Sequence, residues 1–199
     1  MKKAIYILMI IMTFQISLRA QNEEVKKRNW IIPAYLNLQY AGGVGNYIIG
    51  AGYTLNKSQS LRFAFQYGFT PKYKSKKNLH ITSLKFSYLP TDIKIYKNIS
   101  AMPSISAGVS RIFADGPGTF TRLPSYYPEG YYSPNAFRFH LSLGANFKYR
   151  FTNPRNIKAL EFYIETTTND LYMKYYINYR KVHLTNIFTM ALGINIMFK

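Results

Sequence analysis

Residues 138 to 151 read RFHLSLGANFKYRF, and the class of side chain changes at every step. Phe139, Leu141, Leu143, Ala145, Phe147, Tyr149 and Phe151 fall on one face; Arg138, His140, Ser142, Gly144, Asn146, Lys148 and Arg150 fall on the other. Successive side chains of an extended strand leave opposite faces, so alternation with period two predicts a strand. At roughly 3.3 Å per residue the stretch is long enough to cross a bilayer obliquely. Its odd face is apolar throughout, with aromatics at both ends. That is the pattern of a transmembrane β-barrel strand, with lipid on the odd side and a polar lumen on the even side.

The chain on either side repeats the rule. Towards the C-terminus, the short turn TNPRNIK (152–158) leads to a strand with Leu160, Phe162 and Ile164 outward and Glu161, Tyr163, Glu165 and Thr167 inward. A Tyr-rich loop is expected over 168–181. A last strand then presents Val182, Leu184, Phe188, Met190, Leu192, Ile194, Ile196 and Phe198 on its apolar face, with His183, Thr185, Thr189, Gly193 and Asn195 behind them.

Towards the N-terminus lies the longest expected loop, 113–137, with four prolines, three glycines and four tyrosines and no alternation. Its Tyr-rich segments read either as an adaptable recognition surface or as packing on the rim of the barrel. Before it, Ile105, Ala107 and Val109 alternate with Ser104, Ser106, Gly108 and Ser110. The preceding strand carries Leu84, Phe86 and Tyr88 outward, then changes parity to Ile93 and Ile95 across Pro90, which predicts an inserted residue and a bulge or kink between Leu89 and Asp92. Two regular strands come earlier: Leu61 to Phe69, with Arg62, Ala64, Gln66 and Gly68 inward, and Tyr47 to Leu55, with Gly50, Gly52 and Thr54 inward. The first strand places Trp30, Ile32, Ala34, Leu36, Leu38 and Tyr40 outward and Pro33, Tyr35, Asn37 and Gln39 inward. AGGVG (41–45) joins these first two strands. It lacks the Lys-Ser/Thr of a phosphate loop and opens no helix, so it is read as a tight turn.

Eight strands result. Their connections are short after the second, fourth and sixth and longer after the third, fifth and seventh, which puts both ends of the barrel on the short side; the turn after the first strand departs from the trend. The expected architecture is an all-β, eight-stranded antiparallel up-and-down transmembrane barrel over 30–199.

Residues 1–20 have a basic start (Lys2, Lys3), an apolar core from Ala4 to Phe14 and a polar approach to Ala20, the layout of a secretory signal peptide with cleavage expected after Ala20. Residues 21–29 read as a periplasmic lead-in. Removing the signal takes Lys2, Lys3 and Arg19 from the formal net charge of +18, leaving about +15. For an exported chain this excess favours a phosphate-bearing lipid surface over nucleic acid as partner, with solvated lysines accounting for part of it. Beyond the signal no apolar run reaches the ~18 residues of a membrane helix, and the chain has no cysteine for a disulfide.

Signal peptide, eight amphipathic strands, alternating short and long connections and an aromatic at Phe198, one residue before Lys199, together resemble the small eight-stranded outer-membrane β-barrels of Gram-negative bacteria. The cleavage region and the Lys- and Tyr-rich composition resemble those of Bacteroidota. The resemblance implies location in the outer membrane and insertion by the outer-membrane assembly machinery, which reads the last strand. It implies no one activity, because such barrels include anchors, adhesins and lipid-modifying enzymes.

A barrel of this size is filled by side chains, not by a wide solute channel. Its charges must pair, and two registers of the strands at 138–151 and 160–167 are considered: Arg150 opposite Glu161 with Asn146 opposite Glu165, or, after a slip of two residues, Lys148 opposite Glu161. Arg62, Lys85 and His140 join Lys148, Arg150, Glu161 and Glu165 as the expected lumen network, whose alternative is a proton or small-ion path. His140 and Ser142 are the weak catalytic candidates. Their His-x-Ser spacing resembles that of lipid A deacylases, but the alternation turns both towards the lumen. No cofactor is expected, and no metal: three scattered His and eight acidic residues show no ligand spacing. Loops 70–80, 113–137 and 168–181 are expected to face outside and to meet lipopolysaccharide phosphates through Lys72, Lys74, Lys76, Lys77, Arg122, Lys174, Arg180 and Lys181. The alternatives are a lipid A-modifying enzyme and a soluble, lipocalin-like ligand-binding barrel.

Overall fold

The computed structural model describes residues 32–74, 78–114, 137–178 and 184–199. The expected signal peptide and lead-in, Trp30, Lys76, Lys77, Arg122, Arg180, Lys181 and His183 lie outside these. Within them the chain forms β1 (Tyr35–Ala41), β2 (Tyr47–Thr54), β3 (Leu61–Thr70), β4 (Leu79–Tyr88), β5 (Ile93–Tyr96), β6 (Ile99–Ala114), β7 (Phe137–Arg150), β8 (Ile157–Asn169), helix α1 (Asp170–Asn178), a 3-10 turn (Leu184–Ile187) and β9 (Thr189–Phe198).

All pairings are antiparallel. Apart from β4 and β5, each strand joins its neighbours in the chain, and β1 pairs with β9, so that Asn37 stands between Gly50 and Asn195. β4 and β5 both pair with β6 and share one position in the wall, which makes an eight-stranded closed up-and-down barrel. Closure gives every strand but the short β5 a partner on both sides, whereas β5 pairs with β6 alone. From the pair Tyr88–Ile105 to the pair Ile93–Ala101, β4 and β5 advance five residues while β6 advances four. The extra residue is the insertion expected from the parity change, with Pro90 inside the break and Pro103 of β6 opposite it, where a missing N–H falls beside an already interrupted ladder.

The alternation is visible as exposure. Phe139, Leu143 and Met190 are 63%, 54% and 64% exposed, whereas His140, Glu161 and Asn195 are 6%, 0% and 6% exposed. Polar and charged side chains fill the centre, and the outer wall is apolar. β1 runs towards one end, here the upper rim, which carries the β1–β2, β3–β4, β6–β7 and β8–β9 connections; the lower rim carries the other turns and both ends of the wall.

Four local expectations change. β6 has 16 residues, well beyond the expected 104–110, because it pairs with β4 and β5 on one side and with β7 on the other along nearly its whole length. The expected Tyr-rich loop after β8 contains α1: the Asn169 side chain accepts a bond from the Tyr172 N–H (2.9 Å) and Asp170 occupies the first turn, both favourable to a helix start. β9 begins at Thr189, not Val182, since the 3-10 turn intervenes. Ala34, expected outward, is buried with Tyr35, Ala64, Ala159 and Met197, because it precedes the first residue of the β1 ladder.

The β1–β2 turn does more than reverse the chain. Ala41, Gly42 and Gly45 have positive φ (61°, 101° and 131°), and the turn tucks into the upper mouth. There Val44 packs with Ile48, Ile81 and Ile112, and Gly43 lies so close to Thr167 and His140 that a Cβ would come within 2.9 and 3.0 Å of them.

Candidate functional site

The lumen is the densest assembly of chemistry-bearing groups among the described residues. Inward parity on β3, β4, β7 and β8 sends Arg62, Lys85, His140, Ser142, Lys148, Glu161 and Glu165 towards one another, and the realised register pairs Lys148 with Glu161 and Arg150 with Ala159. Of the two registers weighed from sequence this is the slipped one. The ion pairs do not follow the ladder, however. Glu161 is gripped across the lumen by both Arg62 nitrogens, at 2.6 and 3.0 Å, and accepts a further bond from Asn195 (2.9 Å). Lys148 donates to Gln59 of the lower turn (3.1 Å). Arg150, at the lower rim, pairs with Asp92 and bonds Ser100 (3.0 Å). Lys85 reaches Glu165 at 2.5 Å.

Between these pairs runs an amide and phenol network. Asn37 donates to Tyr163 and Asn195, both at 2.8 Å, and accepts from Gln66 (2.9 Å), while the Tyr163 hydroxyl donates to Gln39 (2.8 Å). The Arg62 guanidinium and the Lys85 ammonium lie 5.7 and 5.5 Å from the ring centres of Tyr35 and Tyr163. Cavities of about 20 and 30 Å3, each room for about one water, flank Lys85 and Glu165. So narrow an interior passes no bulky solute.

Tyr35, Asn37, Gln39, Gln59, Gln66, Asp92, Tyr163 and Asn195 were not singled out from sequence. The parity placed most of them inward, and a sharper signal was available: Tyr35 pairs with Gly52 and Tyr163 with Gly193, and a Cβ on either glycine would overlap the ring opposite. Glycines on the inward face thus mark where large inward rings lie.

The catalytic candidates do not form a nucleophile–base pair. His140 Nε2 bonds Ser110 (2.6 Å) and Ser142 bonds Thr167 (2.8 Å), so His140 does not act as base to this hydroxyl. His140 Nδ1 is buried without a hydrogen-bond partner among the described residues, and His140 borders the smaller cavity. No group of three His, Cys, Asp or Glu that suits a metal occurs among the described residues.

Of the loop cations, Lys72 and Lys74 lie in the turn beyond β3 and Lys174 on α1; all three are exposed at the upper rim. Neighbouring Tyr47 and Tyr73 share a hydrogen bond of 3.1 Å, with Lys74 5.9 Å from the Tyr73 ring centre. Comparison of the chain with models of protein families, with curated proteins and with solved structures finds no match.

Proposed function

We propose that this eight-stranded barrel is an integral outer-membrane protein whose filled lumen is structural and whose upper-rim loops bind at the cell surface. The observation that carries the reading is the inverted polarity of the wall. Phe65, Phe86, Phe139, Phe147 and Phe162 are 46% to 63% exposed, while Arg62 and Glu161 are almost wholly enclosed. Contiguous apolar surface of this extent is costly in water and favourable against acyl chains. A soluble ligand carrier needs an apolar cavity, and this interior is lined with charges, amides and hydroxyls. The enzyme alternative lacks an activated nucleophile in the described residues.

Under this reading β9, ending at Phe198, is the strand read by the assembly machinery. Lys72, Lys74 and Lys174 approach the phosphates of lipopolysaccharide, together with Lys76, Lys77, Arg122, Arg180 and Lys181, which lie outside the described residues. Alkaline carbonate washing of isolated membranes tests the assignment: the protein stays in the pellet until detergent is added. Release into the aqueous wash would defeat it.

A further inference from the structure

We propose that Arg111 is the centre of a lipid-phosphate site on the outer wall below the upper rim, holding the anionic headgroup of a lipid in the surrounding leaflet; this rests on the membrane reading above. Tyr40, Tyr47, Phe69, His80 and Phe113 are successive cross-strand partners, forming one outward aromatic row over β1, β2, β3, β4 and β6. Outward aromatics close to the strand ends belong to the girdle that flanks the apolar band of a membrane barrel. One step below it, Tyr67, Thr82, Arg111 and Phe137 form the next outward row, and below that Phe65, Leu84, Val109 and Phe139 are wholly apolar. Arg111 therefore stands where polar groups on the wall give way to hydrocarbon.

Apart from Lys158 at the bulge near the lower rim, Arg111 is the one Asp, Glu, Lys or Arg among the described residues on the outward parity of β1–β4 and β6–β9. Its guanidinium carbon lies 5.1 Å from the Phe113 ring centre and 5.4 Å from that of Phe137, so two rings fix its plane. No carboxylate among the described residues pairs with it. On neighbouring strands the Tyr67 hydroxyl and His80 Nδ1 are joined at 2.5 Å, a second polar group beside the same patch. A planar cation held by rings and without a carboxylate partner among the described residues suits a phosphate, which it binds through two parallel N–H donors. The occupant is a lipid because the residues directly beneath are apolar and outward, a bed for its acyl chains. The loop lysines lie beyond the strand ends and add diffuse attraction without this geometry.

Native mass spectrometry of the full chain, purified in mild detergent with phosphatidic acid or phosphatidylcholine, tests the site. The wild type is expected to retain one phosphatidic acid more tightly than phosphatidylcholine, and Arg111→Gln to lower that retention about tenfold, the effect of losing one charge-assisted contact. Phe137→Leu, which keeps the charge and removes one ring, is expected to weaken retention by a smaller factor. Lys97→Gln, exposed in the turn between β5 and β6 at the lower rim, is expected to leave it within about twofold, as for a surface charge. Unchanged retention in Arg111→Gln overturns the proposal, as does displacement of the lipid by inorganic phosphate at equal concentration, which would mark a free-anion site. Flotation with vesicles separates the two levels: a chain that floats, with Arg111→Gln retaining lipid as the wild type does, defeats this site alone, whereas a chain that fails to float defeats the membrane reading beneath it.

Discussion

Arg62 and Glu161 stand on diametrically opposed strands, four steps apart whichever way the wall is followed, and meet at the centre of the barrel through two parallel hydrogen bonds. Neither side chain touches appreciable solvent (3% and 0% exposed). Each neutralises the other, and Asn195 takes part of the remaining acceptor capacity. The pair spans the lumen and braces β3 against β8.

Removing one partner leaves a buried charge uncompensated, so Glu161→Gln is expected to destabilise the barrel by about 3–5 kcal/mol. Replacing both, as Arg62→Met with Glu161→Met, is expected to cost much less than the two single changes together. Urea unfolding of the wild type, Arg62→Met, Glu161→Met and the double variant in one detergent measures the coupling. Additive single effects would show that the two groups do not act as a pair.

The Tyr163 ring occupies the space over Gly193. Gly193→Ala is therefore expected to lower stability by roughly 1–3 kcal/mol through overpacking, and to be partly rescued by Tyr163→Leu, which removes the ring. Thermal unfolding followed by circular dichroism reads both. A Gly193→Ala variant as stable as the wild type would mean that the ring has another place to go.

Polarity of the wall predicts opposite responses at nearby positions of the adjacent strands β7 and β6. Leu143→Arg, outward and near mid-strand, is expected to impair folding into vesicles by ~2–4 kcal/mol, whereas Ser104→Ala, on the inner face of β6, is expected to have little effect. Folding yields into lipid vesicles distinguish them. Equal tolerance of Leu143→Arg would contradict a lipid-facing wall.

His140 and Ser142 bond to Ser110 and Thr167, not to each other. Alanine at both positions is accordingly expected to leave the acylation pattern of lipid A unchanged in cells carrying the variant. A mass shift in the lipid A spectrum would restore the enzyme alternative.

The direction in which each strand residue points was legible because it is a local property. Phe139 and His140 leave opposite faces whatever strand lies beside them, and the parity change between Tyr88 and Ile93 reveals an inserted residue without reference to any partner. For the same reason the inward set of Arg62, Lys85, His140, Lys148, Glu161 and Glu165 was readable, as was the count of strands around the barrel. The helix after β8 was less visible: its tyrosines read as loop, and its start depends on Asn169 turning its side chain back to a backbone N–H.

What the sequence by itself determined is therefore the two-faced character of each strand, from which an all-β barrel follows. Only the tertiary structure decided who meets whom: that Glu161 takes Arg62 from across the lumen although Lys148 lies opposite it in the ladder, that Lys85 takes Glu165, that Val44 of the turn packs on Ile48 and Ile81, and that Phe113 and Phe137 flank Arg111. The physical reason is that alternation repeats every two residues and is blind to slips of two. Register and closure, set by the whole ring of backbone hydrogen bonds, choose among arrangements that share the same faces.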